Sequence, residues 1–144
     1  MRIKKVQETT PLSAEVLNVK STGTKNTYSC DYINSLGTYS TTEQVVGTWI
    51  NNKPVYRKVV ELGALPDNSQ KTVPHNIANL GTVVSLRGMT TGDNKFPIPE
   101  SRTSLYLDYQ VGLWCNSTNI VVETGNDRTS TSAFAVIEYT KTTD

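Results

Sequence analysis

Chemistry-bearing side chains are scarce in this 144-residue chain. Histidine occurs once, at position 75, and cysteine twice, at positions 30 and 115. One histidine with no ligand at suitable spacing nearby does not make a metal centre, and two distant cysteines make neither a close metal pair nor a four-thiolate zinc site. No metal and no cofactor are expected. A Gly-x-Ser-x-Gly elbow is missing, which removes the usual setting for a serine nucleophile. Gly88-Met-Thr-Thr-Gly92 lacks the Lys-Ser/Thr ending of a phosphate loop. His75, in Val73-Pro-His-Asn-Ile77, therefore reads as a turn or strand-end histidine with a structural hydrogen bond. No apolar run approaches the ~18 residues that a membrane-spanning helix needs, and the first residues lack the apolar centre of a signal peptide. Fourteen basic and thirteen acidic side chains leave a net charge of +1. With no clustered Lys and Arg beyond Arg2, Lys4 and Lys5, which read as a solvated terminus, no nucleic-acid footprint is present. Heptads, Gly-X-Y tracts and internal repeats are also missing.

The chain has strand signals instead. Its length suits one domain, or one domain and an arm. The hydrophobic share of 36% is low for a compact globule and suits a thin β-sandwich or subunits that share a core. Residues 1–40 are polar and broken by Pro11, Gly23 and Gly37, and read as an arm or connector. Within it Ser13–Val19 suits two helical turns capped by Ser13, and Ser29–Leu36 suits either a short helix or a strand. Residues 41–144 read as the β domain. Its expected strands are Gln44–Ile50, Val55–Leu62, Gln70–Pro74, Thr82–Arg87, Ser104–Trp114, Asn119–Thr124 and Ser132–Lys141, separated by turn residues. Seven or eight short strands predict an all-β fold, an antiparallel β-sandwich of jelly-roll type with a polar N-terminal arm.

Two strands carry most of the packing information. Leu105, Leu107, Tyr109, Val111 and Leu113 alternate and are expected to share one buried face, with a bend or bulge at Gly112. Tyr106, Asp108, Gln110 and Trp114 would share the other. Ser132–Lys141 is apolar on both sides, with Ala133, Ala135, Ile137 and Tyr139 against Phe134 and Val136, which predicts a central strand or one at a subunit interface. Exposed Tyr106 and Trp114 are candidate stacking faces for sugar rings, or interface residues. Asp108 and Glu123 fall on neighbouring expected strands, the one arrangement that leaves room for a glycosidase carboxylate pair.

Three stretches have distinctive wording. They are Gly47-Thr-Trp-Ile-Asn-Asn-Lys-Pro-Val-Tyr-Arg-Lys-Val-Val60, Lys71-Thr-Val-Pro-His-Asn-Ile77, and the ending from Gly125-Asn-Asp-Arg128 through Ala135-Val-Ile-Glu-Tyr-Thr-Lys-Thr-Thr-Asp144. In this order they resemble a module at the C-terminal ends of tail-fibre and receptor-binding proteins of tailed bacteriophages and prophages. The likeness covers roughly Thr38 to Asp144. Asn51-Asn52 stands where the module has Asp-Gly, and Asn tolerates the positive φ of such a turn.

The resemblance implies a virion protein assembled in the bacterial cytoplasm, where Cys30 and Cys115 would mostly stay reduced, although a disulfide between them is also open. It implies a homotrimer joined to other fibre proteins, without nucleic-acid binding or membrane insertion. Its task would be adhesion to a host cell-surface glycan or protein, without catalysis. A trimerisation or capping module and, less favoured, a glycan-cleaving enzyme are the alternatives. Asp127-Arg128 matches the module's Gly-x-Asp-Arg turn, to be read as an ion pair, a turn cap or a contact with a subunit or receptor. The irregular stretch from Gly88 to Arg102 lies between the matching motifs, where binding residues would vary. Asp93, Asn94, Lys95 and Arg102 are the expected ligand-binding residues, with Tyr106 or Trp114 as the stacking face.

Overall fold

The structure is a computed structural model that describes residues 37–93, 95–101 and 108–144. The expected arm lies outside these residues except for its last four, and so do Asn94, Arg102, Tyr106, Leu105, Leu107 and Cys30. Eight strands are present: β1 (Gln44–Thr48), β2 (Pro54–Ala64), β3 (Gln70–Pro74), β4 (Leu80–Thr91), β5 (Pro97–Ile98), β6 (Val111–Cys115), β7 (Asn119–Thr124) and β8 (Ser132–Lys141). They form two antiparallel sheets, a five-stranded one in the order β1-β2-β8-β4-β5 and a three-stranded one in the order β3-β7-β6. The chain is all-β among the described residues.

The core lies between the sheets. Val60 and Leu62 of β2, Ile137 and Tyr139 of β8, and Ile120 and Val122 of β7 belong to one buried cluster. Period-2 alternation explains each contribution, because these are the inward positions of their strands. β8 lies between β2 and β4, so its expected central position is observed. Its inward residues Ala133, Ala135, Ile137 and Tyr139 are all buried, and the outward Val136 is buried as well. Gly88 of β4 is required by this packing. A Cβ there would stand 2.5 Å from Ile98 Cγ1 and 2.6 Å from the Phe134 carbonyl oxygen.

Two connections close the sandwich. Glu100 and Val111 exchange backbone hydrogen bonds of 2.8 and 3.1 Å, which lead the chain from β5 of one sheet to β6 of the other. Elsewhere Lys58, an inward position of β2, reaches the carbonyls of His75 (2.9 Å) and Asn76 (3.3 Å) after β3. The polar head thus satisfies turn carbonyls while its alkyl stem lines the core.

Two expectations about the Ser104–Trp114 segment are corrected. The strand begins only at Val111, because Asp108–Tyr109 forms a tight turn. Tyr109 is consequently 46% exposed instead of sharing the buried face of Val111. The turn is packed against Gly125, where an added Cβ would lie 2.7 Å from the Asp108 carbonyl oxygen. No bulge occurs at Gly112, whose register with Glu123 is unbroken. The irregularities fall in β1, β2 and β4 instead. The first hairpin also turns earlier than expected. Ile50 sits at its tip, 89% exposed, and Trp49 and Lys53 close the loop with a 2.8 Å backbone bond. Asn52 takes the positive φ, at 64°.

Candidate functional site

The β4–β5 turn carries Asp93 and Lys95, both exposed. Thr90 closes its base: the Phe96 amide donates to Thr90 Oγ1 (2.9 Å), and the Thr90 amide donates to the Phe96 carbonyl (3.1 Å). Asn94 and Arg102, expected beside them, lie outside the described residues. Trp114 is placed elsewhere, on β6 of the three-stranded sheet. Of the six expected binding residues the structure describes three, and it divides them between two sheets.

Arg128 ties this turn to its neighbours. Its guanidinium lies 5.3 Å from the ring centres of both Phe96 and Tyr109. One Nη donates to the Tyr109 carbonyl at 3.1 Å, and the backbone amide donates to the Pro66 carbonyl at 3.2 Å. A cation between two aromatic faces is favourable by cation–π attraction and holds three loops together. Asp127 does not pair with Arg128. Its carboxylate accepts from the Thr129 amide (2.9 Å) and hydroxyl (2.8 Å), which makes it a turn cap. The backbone bond from Thr129, followed by the hydroxyl bond, holds the Asp127 carboxyl below its ordinary value.

Trp114 forms a separate feature. Alternation directs Gln70, Thr72 and Pro74 of β3, Asn119, Val121 and Glu123 of β7, and Gly112 and Trp114 of β6 to the outer face of the smaller sheet. Trp114 is 38% exposed there. Its ring edge lies 3.1 Å from where a Cβ of Gly112 would stand. Glu123 faces Gly112 across the register, whereas Asp108 belongs to the turn before β6. Asp108 therefore does not stand on a strand beside Glu123, as the sequence pattern suggests.

The outer face of the larger sheet is different again. Val59, Met89, Phe134 and Val136, with Tyr39 to Thr41 and Arg87, line an open groove of about 560 Å³. Arg57 stacks over Tyr39 at 4.7 Å and pairs with Glu138 at 2.9 Å beside it. Nothing in the sequence pattern singled out this groove, beyond the two-sided apolar character of β8.

The opposite end of the sandwich holds a polar network. Glu43 accepts from the Tyr139 hydroxyl and, at 2.5 Å, from Lys141 Nζ. Tyr56 stacks on Tyr139 and donates to Asp144 at 2.8 Å. The Asp144 hydrogen bond, then burial, pushes the Tyr56 phenol up to about 12. Burial, then the Glu43 bond, pushes Tyr139 up as well. Tyr139 and Lys141 are two apart on a strand, and so share a side; that spacing is the one sequence signal for this contact.

His75 is 1% exposed. Its Nδ1 accepts from the Ile77 amide at 3.1 Å and its Nε2 donates to the Asn116 carbonyl at 3.2 Å. These bonds link the turn after β3 to the β6–β7 turn. Cys115 carries a free thiol, raised by burial. Among the described residues no three His, Cys, Asp or Glu side chains gather as a metal site would require, and no helix is long and apolar enough to cross a membrane.

Comparison with known proteins gives no match to a family model, to a curated protein or to a solved structure.

Proposed function

We propose that this chain is a non-catalytic adhesion module, the receptor-binding tip of a bacteriophage tail fibre. The observation that carries the reading is Trp114, a half-exposed indole set on a rigid strand face among polar side chains. Loops and faces on a stiff β scaffold suit repeated, reversible surface contact. The stretches that resemble fibre-tip modules coincide with positions on which the fold depends, and this supports the reading. Asn52 makes the first turn, His75 fastens the second, Arg128 clamps three loops, and β8 is the central strand. Strand connectivity supports a jelly-roll type. The β2–β3 ribbon pairs along β8 and β7, while β4 and β6 extend the two sheets. Residues 1–40 would join the module to other fibre proteins.

A structural role accompanies adhesion and is favoured by a separate observation, the apolar groove of the larger sheet. Copies of this chain would cover Val59, Met89, Phe134 and Val136 in a homotrimer. The test is binding of the purified chain to a panel of whole bacterial cells, alongside its mass by light scattering. Saturable binding to some hosts and three times the chain mass are expected. Met89→Asp with Phe134→Asp should lower the mass without unfolding the chain. A wild-type monomer at micromolar concentration that binds no cell defeats both readings.

A further inference from the structure

We infer that the outer face of the three-stranded sheet is a binding site for a neutral glycan, with Trp114 as its stacking platform. The inference rests on the adhesion reading and assigns a ligand class to the β3-β7-β6 face on which that reading places Trp114.

Three observations converge on this face. The first is how the indole lies. Cζ3 and Cε3 of Trp114 stand 3.1 and 3.7 Å from the position a Gly112 Cβ would take. The ring therefore spreads over the glycine, and any side chain at position 112 would push it up. Val121 is the cross-strand partner of Trp114 and points outward, yet it is only 4% exposed. Directly opposed residues on one face stand about 4.5–5.5 Å apart, so Trp114 is the side chain placed to cover it. The ring edge is thus supported by the glycine while the residue stays 38% exposed, and an exposed indole on a strand can stack against the C–H face of a pyranose.

The second observation is the polar surround. Glu123 opposes Gly112 on one side and Gln70 on the other, and Thr72 opposes Val121. Glu123, Gln70 and Thr72 are all exposed. A carboxylate accepts two sugar hydroxyls at once, an amide both donates and accepts, and a hydroxyl does either. Glu123 lies diagonally across from Trp114 on the adjacent strand, and Gln70 and Thr72 stand one strand further out, about 10 Å from β6, so hydroxyls along an extended sugar chain can reach them.

The third observation is charge. The eight residues of this face contain one charged side chain, Glu123. The neighbouring lysine of β3, Lys71, sends its ammonium to the Ala64 carbonyl at 2.7 Å. With a negative charge and, among the described residues of the face, no cation, the face repels carboxylated, sulfated and phosphorylated sugars. Neutral hexoses and N-acetylhexosamines remain. An exposed sheet face suits internal units of an extended chain over an end-on sugar, and each contact would be weak enough to depend on several copies acting together.

The experiment uses the full chain and its Trp114→Ala, Glu123→Gln, Glu123→Lys and Trp49→Phe variants, each with its melting curve and oligomeric mass. The probes are neutral dextran, maltohexaose and chitohexaose, and acidic polysialic acid, read by indole emission and by retardation in affinity gels. At least one neutral glycan should shift the emission of the wild type and of Trp49→Phe. Trp114→Ala should weaken that binding at least tenfold with mass unchanged, and Glu123→Gln by a smaller factor. Glu123→Lys should gain retention of polysialic acid. Silence towards all three neutral glycans, preference of the wild type for polysialic acid, full binding by Trp114→Ala, or an altered oligomeric mass in that variant each overturn the inference. Cell binding separates it from the reading on which it rests. Wild-type adhesion that survives Trp114→Ala removes this site and leaves adhesion standing. A wild type that retains a neutral glycan but adheres to no cell removes adhesion and leaves the site.

Discussion

On the five-stranded sheet, the side turned away from the core is apolar at its centre, where Val136 is buried and Met89 and Phe134 line a groove. On the three-stranded sheet the same side carries Gln70, Thr72, Asn119 and Glu123 around one indole. The two sheets share one core and alternate alike, so the difference lies wholly in their outward positions. Strand β8 spends both of its faces on burial, whereas β3 and β6 spend only one. The contrast teaches that a thin sandwich can divide its surfaces: one sheet supplies the mechanical centre and the other is left free to vary. Substitutions should then have very different costs on the two sheets.

The largest expected effect is removal of β8. Deleting residues 132–144 separates β2 from β4 and takes Ile137, Tyr139 and Val136 out of burial, each side chain worth about 1.5–3 kcal/mol or more. That sum approaches the 5–15 kcal/mol by which whole domains are stable. Circular dichroism should show no cooperative transition. A truncated chain with an unchanged melting curve would mean that the sheet does not depend on its middle strand.

Paired glycine substitutions sharpen the comparison at lower cost. Gly88→Ala drives a methyl into the Phe134 carbonyl and Ile98 from 2.5–2.6 Å, and overpacking of a core costs about 1–3 kcal/mol. Gly112→Ala meets only the ring edge of Trp114 at 3.1 Å, and a half-exposed ring can tilt outward. Urea denaturation should show Gly88→Ala clearly destabilised and Gly112→Ala within about 0.5 kcal/mol of wild type, the usual range for surface changes. Equal losses would erase the distinction between the sheets.

What the sequence disclosed follows the same line. Strands with clean alternation or strong two-sided apolarity were legible: β3 and β8 begin and end where the pattern put them. The start of the strand at Val111 was not legible because Tyr109 continues the alternation of the sequence, whereas Asp108–Tyr109 forms a turn. The reason is long-range, a close approach of the Asp108 backbone to Gly125, and period alone contains no such information. Asn52 announced its turn through its tolerance of positive φ. The Arg128 clamp was half legible: Gly125-Asn-Asp-Arg128 marked a turn, but nothing local says that the guanidinium stacks between Phe96 and Tyr109. Trp114 was found as an outward aromatic. Its setting on Gly112 and Val121 needed the register, and the groove of the larger sheet needed the position of Tyr39 to Thr41.

At the Glu43 end, alkali should weaken the domain. Tyr139 and Tyr56 both have folded-state pKa values above their unfolded values near 10, with Tyr56 at about 12. A raised value favours the protonated phenol in the folded state. The associated stability is fully present below pH 10 and is lost as pH rises from there through about 12. Thermal melts between pH 8 and 12 should fall over the upper half of that range, and Tyr139→Phe should flatten the fall at the expense of its hydrogen bond to Glu43. A wild-type melting temperature independent of pH up to 12 would contradict the coupling.

The smallest expected effect concerns Asp127, and it decides what the Gly-x-Asp-Arg turn is for. Its carboxylate holds the Thr129 amide and hydroxyl, and its folded value is lowered from 3.8. A lowered value means that the charged form is favoured in the folded state. The contribution is therefore present above the unfolded value and fades as pH falls through and below it. The side chain is fully exposed to solvent, so the change should be slight. Asp127→Asn keeps an oxygen that can accept from Thr129 and loses the titration, whereas Asp127→Ala loses both. Melts from pH 6 to pH 2.5 should show Asn equal or close to wild type above pH 5 with a flatter acid limb, and Ala lower throughout. If Asp127 acts only as a turn cap, Asp127→Asn should also bind cells as the wild type does. Adhesion lost in the Asn variant, with its melting curve intact, would instead put this turn in contact with the receptor and return the binding surface to the pole that Arg128 organises.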